Sequence, residues 1–378
     1  MKTPKKLQAK LQERTQKNTL RRLSTEKKTI DFSSNDYLGF AKSETIFNKT
    51  HQFLVDRNLQ QNGATGSRLL SGNSKLYEEV EAHICTFHNS EAALLFNSGY
   101  DANIGFFSSV PQRGDAIFYD EYIHASIRDG INMSNAKSYK FKHNDLDDLA
   151  KKINNSSQKL STLNQDIYIV TESVFSMDGD SPNLQELITF CNKNNYYLVV
   201  DEAHALGVFG THGEGLLQKL GVEQEVFARI YTFGKALGCH GAVILGSNEL
   251  RTYLVNFARS FVYTTGLSPH AVATIKIAYN ELAETIATKQ LKDTIATFKQ
   301  ATQQLKFIPS NSAIHCYIIS GNKNVKKAAT QLQSKGFDVK PIVSPTIPEG
   351  KERLRFCLHA YNSTEEIEEM INTLTSVH

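Results

Sequence analysis

The chain has 378 residues, 40% of them hydrophobic and 21% charged, with a net charge of +3. That is the profile of an ordinary globular protein with room for a large core and a smaller companion domain, not of a disordered or fibrous chain. Apolar runs such as "AALLF" and "YYLVV" are too short to span a bilayer, and five scattered cysteines (Cys85, Cys191, Cys239, Cys316, Cys357) argue against a disulfide framework or a zinc site, leaving a reducing cytosol as the expected home.

Residues 1–23 carry eight Lys or Arg against Glu13 alone, so this arm holds +7 and the rest of the chain −4. Such an arm can serve nucleic acid or a membrane surface. The sequence reads better as a solvated helix packed on the body, with Leu7 and Leu11 sharing a face, followed by the polar turn "STEKKT". Neither nucleic acid nor membrane is therefore an expected partner.

From about residue 40 to 270 short apolar runs alternate with amphipathic stretches. The runs are "AALLF" (92–96), "DAIFYD" (115–120), "DIYIVTE" (166–172), "YYLVVDEAH" (196–204) and "GAVILG" (241–246). Strands alternating with helices predict an α/β domain, its mostly parallel sheet covered by helices on both faces. Ligand sites in such sheets lie beyond the carboxyl ends of the strands. Residues 271 to about 305 read as one long helix. A smaller C-terminal α+β domain follows: a strand near "AIHCYIIS", a helix from about 323 to 335, strands near "FDVKPIV" and "RLRFCLHA", and a helix from Ser363. The expected division is an arm over 1–40, a large domain over 41–270 and a small one over 271–378.

The chemistry concentrates in "YYLVVDEAHALGVFGTHGEG" and "TFGKALGCHGA". Asp201 ends a buried strand, where a carboxylate is costly unless paired. Alone it would read as a cap on the next helix. Lys235, one strand–loop unit downstream among small residues, and His204 between them change that reading. An aspartate at a strand end and a later lysine in a glycine-rich turn suit pyridoxal 5′-phosphate: the lysine carries the cofactor covalently, and the aspartate keeps a proton on the pyridine nitrogen. No P-loop and no convincing G-x-G-x-x-G after a strand competes with this.

The ordered set "SSNDYLG", "GATGSRLLSGN", "FNSGYDAN", "TESVFSMDGD", "VVDEAHALGVFG", "TFGKALG", "FVYTTGLSP" and "SPTIPEGKERLRFCLHA" resembles the α-oxoamine synthase family of fold-type-I pyridoxal phosphate transferases over nearly the whole chain. "TLRR", "FKHND" and "NFARSFVYTT" are similar to the branch that joins L-alanine to a pimeloyl thioester, on CoA or an acyl carrier protein, with loss of carbon dioxide in biotin synthesis. Sister branches that acylate glycine from acetyl-CoA, or serine, differ by so little in the pocket that sequence separates them poorly. A non-catalytic interaction protein on the same fold is the alternative of another class.

The resemblance implies roles for named residues. Gly99 and Tyr100 open the helix whose amides hold the cofactor phosphate. His124 stacks on the pyridine ring, His204 meets its phenolic oxygen, and Ser176 and Thr232 offer hydroxyls to its polar edge. Lys235, Asp201 and His124 carry catalysis. Thr264 and Thr265 reach the phosphate of a neighbouring subunit, which makes the protein a homodimer with shared sites. Arg355 and Asn35 grip the amino-acid carboxylate, while Arg21 and Thr346 meet the acyl substrate. Three positions depart from the family pattern: Val343 stands where an arginine is common, Gln61 where a glycine is, and Gly266 where an alanine is.

Overall fold

All five apolar runs are strands of one seven-stranded sheet. The computed structural model describes residues 2–17, 19–21, 23, 29–157 and 165–376. Across the sheet the order is Ala92–Phe96, Ala242–Gly246, Ala228–Thr232, Tyr197–Asp201, Ile167–Glu172, Ala116–Asp120 and Lys137–Phe141. Every pairing is parallel except those of Ala242–Gly246, which runs antiparallel to both its neighbours. Alternate residues serve opposite faces: Leu94, Phe96, Ile230 and Ile244 pack in one core, and Ala93, Leu95, Tyr231 and Val243 in another. Burial on both faces is why these strands read as continuous apolar runs.

Two strands of this sheet escape the apolar-run criterion. Lys137–Phe141 lies at the edge and exposes Lys137, Ser138 and Lys140. Ala228–Thr232 is central but contains Arg229, whose buried guanidinium donates to the carbonyl of His88 at 2.9 Å.

The chain's last third builds a three-stranded antiparallel sheet in the order Lys340–Ile342, Arg353–Cys357, Ile314–Ile318. Helices Asn322–Ser334 and Thr364–Ser376 belong to this part. Residues 30–37 join it from far away in sequence: Ile30–Asp31 pairs with Phe337–Asp338, and the carbonyls of Phe32 and Tyr37 accept from the N–H groups of Cys357 and Ala360, both at 2.8 Å.

Two expectations need correction. The long helix is two helices, Pro269–Glu284 and Ala287–Ala301. Thr285 between them is extended (ψ 146°), and its hydroxyl accepts from the N–H of Ala287 at 3.1 Å. A threonine hydroxyl that satisfies a freed main-chain donor competes with helix continuation. The N-terminal helix, Lys5–Gln16, buries no residue within its own chain; Leu7 and Leu11 are each 53% exposed. Two leucines are too narrow an apolar stripe to dock a helix otherwise covered in charge. Of the turn "STEKKT", residues 24–28 lie outside the described residues. No helix among the described residues is long and apolar enough to cross a membrane.

Candidate active site

Four neighbouring strands end in Asp120, Glu172, Asp201 and Thr232, and Glu172 stands directly opposite Asp201 in the parallel register. Asp201 is buried and each of its oxygens has one donor: Oδ1 accepts from the N–H of Ala203 at 2.9 Å, and Oδ2 from Asn103 Nδ2 at 3.0 Å. The loops after two of these strands bring Lys235 Nζ to 2.8 Å from His204 Nε2. His204 Nδ1 lies 2.7 Å from the Tyr37 hydroxyl, which reaches Asn35 Oδ1 at 3.2 Å.

Burial, then the nearby Lys235 and Arg355 charges, hold the His204 pKa well below its ordinary value, so its ring is neutral. With Lys235 donating to Nε2, the ring proton sits on Nδ1 and is donated to Tyr37. Burial also lowers the Lys235 amine to about 8, although Asp201 and Glu172 oppose this. Burial first and the Asp201 charge second raise the Glu172 carboxyl to about 8.

Not all the small residues around Lys235 make room for a ligand. Gly238 has φ +60°, and a Cβ there would lie 2.1 Å from the N of Ala41. Its bareness lets the main chain at 40–41 pass.

His124 begins the helix Ala125–Met133 and caps it with its own ring: the N–H of Ser126 donates to Nδ1 at 3.2 Å. The Ser126 hydroxyl is 2.7 Å from the same nitrogen and 3.0 Å from Asn103 Nδ2. The His124 N–H donates to Glu172 Oε1 at 2.6 Å. Glu172 therefore fixes the main chain from which the ring projects.

At the Gly99 end, Ser98 caps the helix Gly99–Ser109 by accepting from the N–H of Asp101. A Cβ on Gly99 would meet the Thr232 side chain at 3.3 Å, so this helix start and Thr232 are in contact. The Tyr100 side chain is half-exposed and donates to Asp129 at 2.7 Å. Asn97 Nδ2 donates to Thr264 Oγ1 at 3.2 Å and to the carbonyl of Thr265 at 2.7 Å. Within one chain, both threonines thus flank the turn that precedes Gly99.

Arg355 enters from the small sheet. It donates to the carbonyl of Ser176 at 2.7 Å and to Asn35 Oδ1 at 3.0 Å, and Nη1 touches Cys357 Sγ at 2.8 Å. Asn35 thereby joins Arg355 to Tyr37, His204 and Lys235 in one hydrogen-bonded line. Arg21 and Thr346 are both exposed, and no described hydrogen bond links them to this line. Sequence reasoning passed over Tyr37, Asn103, Ser126 and Cys357, although all four lie inside the motifs "SSNDYLG", "FNSGYDAN", "DEYIHAS" and "RLRFCLHA". A strand-end acid's need for donors was the usable signal for Asn103.

A second cluster braces the loop 173–180. His143, from "FKHND", is held by Asp120 at 2.9 Å and Asp180 at 2.8 Å, and it stacks on Tyr122. His143, Asp178 and Asp180 are near enough to share a metal ion. Yet Asp178 is paired with Arg353 and His143 with the two other carboxylates, which makes the cluster an ion-pair clasp. Burial opposes the charge on His143, but the two aspartates outweigh it and lift its pKa to about 9. A histidine raised on folding contributes fully below its unfolded pKa of ~6.5, and that contribution is lost as pH climbs through 9. His143→Gln should therefore lower stability by about 2 kcal/mol near pH 6, with the difference largely gone near pH 9.5. Equal losses of Tm at both pH values, read by calorimetry, would contradict a charged clasp.

A partly buried lysine with a lowered pKa, a buried strand-end aspartate and a helix start at the same end of one α/β sheet define a pyridoxal phosphate transferase of fold type I. The class I and II aminotransferase profile matches residues 27–374, and the chain belongs to that family, among its α-oxoamine synthases. It is 41% identical to the 8-amino-7-oxononanoate synthase of Emericella nidulans over 367 residues, covering 92% of this chain and 89% of that one. Among solved structures it superposes on Sphingomonas wittichii serine palmitoyltransferase with TM-score 0.87 and 28% identity, covering 99% of this chain and 96% of that one. For Francisella tularensis 8-amino-7-oxononanoate synthase the TM-score is 0.76 and the identity 26%, over 92% of this chain and 97% of that one.

Proposed function

We propose that this chain catalyses the pyridoxal 5′-phosphate-dependent condensation of L-alanine with a pimeloyl thioester, on CoA or a carrier protein. The products are 8-amino-7-oxononanoate, carbon dioxide and the free thiol. The observation that carries the chemistry is the line from Lys235 through His204, Tyr37 and Asn35 to Arg355. It sets a deprotonatable amine at one end and a carboxylate-binding guanidinium at the other. The choice of substrates is supported by the 41% identity to a synthase of that name.

The residues present fit the cofactor. Lys235 has an imidazole rather than a carboxylate as its hydrogen-bond partner, and its lowered pKa suits a lysine that must react as a free amine. Gly99 and Thr232, in contact at a helix start, suit a phosphate. Lys235 would hold the cofactor's aldehyde carbon, Asp201 its ring nitrogen, His204 its phenolic oxygen and His124 its face. Ser176 and Thr232 would meet its edge, and Gly99, Tyr100, Thr264 and Thr265 its phosphate. When bound, the cofactor supplies an electron sink for the bond broken at the amino acid's α-carbon.

This chain's own groups do the rest. Arg355 and Asn35 orient the amino acid through its carboxylate. Lys235, once free, takes the α-proton, and its amine is half deprotonated near pH 8. Asp201, fixed by its two donors, would hold a proton on the atom it faces. Loss of carbon dioxide follows the new carbon–carbon bond, and Lys235 returns a proton to the α-carbon.

In this reading residues 41–270 bear the cofactor and 271–378 the carboxylate grip, while Arg21 and Thr346 meet the acyl substrate. Two copies share their sites through Thr264 and Thr265, and the enzyme works in the cytoplasm. The exposure of Leu70 and Tyr263 supports a covered surface there, since the N–H of Gly266 binds the carbonyl of Gly66 and brings their segments together.

Thiol release should be measured with alanine or glycine against pimeloyl-CoA or acetyl-CoA. Release with alanine and pimeloyl-CoA, at least about tenfold above the other three pairs, is expected. Release with glycine and acetyl-CoA alone would move the chain to the sister branch and leave the cofactor assignments standing.

A further inference from the structure

We propose that Asn103 and Ser126 are positioning residues that lock His124 as the neutral imidazole with its only ring proton on Nε2. The assignment follows from proton bookkeeping around one nitrogen. A main-chain N–H can only donate, so the 3.2 Å contact from Ser126 N makes His124 Nδ1 an acceptor. The Ser126 hydroxyl, 2.7 Å from that nitrogen, could in principle donate to it or accept from it. Asn103 and the lack of another described acceptor for the hydroxyl proton decide between the two.

Asn103 is buried, and its Nδ2 lies 3.0 Å from both Asp201 Oδ2 and Ser126 Oγ. The carboxylate accepts only, which fixes the amide with its NH2 end toward Asp201. The second N–H of that group then fills a lone pair of the Ser126 hydroxyl. Among the described hydrogen bonds, Nδ1 is the only acceptor left for the hydroxyl's own proton. Two donors thus converge on Nδ1, and a proton there would collide with both and uncap the helix Ala125–Met133.

The same asparagine binds the strand-end aspartate, so the group assigned to the cofactor's ring nitrogen and the group assigned to its face share one support. Their use in catalysis rests on the function proposed above; the tautomer does not. Around the His124 ring, Asp201 and Asp129 favour a charge and Lys235 and Arg128 oppose it, while burial, the largest influence, lowers its pKa. Glu172 holds the residue by its main chain. His124 therefore presents a neutral N–H donor at Nε2 near neutral pH.

The test is nitrogen-15 imidazole NMR of the full-length protein, loaded with pyridoxal phosphate and again after its removal, with His124→Gln to assign the signals. A pyridine-type Nδ1 and a pyrrole-type Nε2 at pH ~7, with and without cofactor, are expected. Ser126→Ala removes one of the two donors, and Asn103→Leu frees the hydroxyl to turn. Each should raise the titration of His124 by about one pH unit, and Asn103→Leu should admit the Nδ1–H form. A proton on Nδ1 in the parent protein overturns the proposal, whatever the variants do. So do variants whose nitrogen signals and titration match the parent's. The same spectra stand if the thiol-release assay fails, so the two readings fall separately.

Discussion

Lys235→Ala should end multiple-turnover thiol release, a loss of about 10⁴-fold or more, because in the proposed reaction one amine serves both as the cofactor's attachment and as the base. No neighbour can replace it. His204 is neutral and already bonded to Tyr37, and Glu172 is committed to the N–H of His124. The fold gains rather than loses from the change. The folded protein holds this amine near pKa 8 against an ordinary lysine value of 10.5. Its charge therefore costs stability at every pH below 8, by about 2–3 kcal/mol, and the cost fades between 8 and 10.5. Cofactor-free Lys235→Ala should melt no lower than the cofactor-free parent at pH 7. A variant several degrees less stable would show that the amine is solvated, and the lowered pKa would go with it.

Asp201→Asn is the second large effect. Asparagine keeps the shape, but its one oxygen can accept from Ala203 or from Asn103 and not from both, because these donors meet different oxygens of the carboxylate. It cannot neutralise a proton on the atom it faces. Exchange of alanine's α-hydrogen for deuterium should slow by roughly 10²–10³-fold, the scale of removing one preorganised electrostatic partner. Cofactor should still bind through Lys235. Unchanged exchange would mean that Asp201 only ties the strand end to Asn103, and that the ring nitrogen is neutral in this enzyme.

Much of this site is legible in the sequence because several motifs put their chemistry at a strand end, where an apolar run stops abruptly at Asp201 or Glu172. What is not legible is contact across distant motifs. Tyr37 and His204 are 167 positions apart and share a hydrogen bond; Asn103 and Asp201 are 98 apart. Spacing along a chain carries no information about such pairs. The fold shows the same division. Buried parallel strands announce themselves, whereas Lys137–Phe141 has a solvent side and Ala228–Thr232 hides a buried arginine. The break at Thr285 was equally silent, since threonine in helical surroundings reads as a tolerated residue until its hydroxyl finds a main-chain donor.

Besides the Asp178 and Asp180 clasp, the loop 173–180 is held through its carbonyl oxygens. Arg355 and Arg353 donate to those of Ser176 and Met177, Cys316 Sγ also reaches that of Met177, and Ser310 and Ser312 both donate to that of Gly179. Outside Asp178 and Asp180, a segment held this way keeps its course whatever side chains it displays, except where a ring nitrogen would remove a donor or a Cβ would collide. The Ser176 hydroxyl enters no described hydrogen bond, which agrees with the proposal that it meets the cofactor's edge. A substitution at 176 would therefore change what the loop displays and leave the path of the chain beneath it the same.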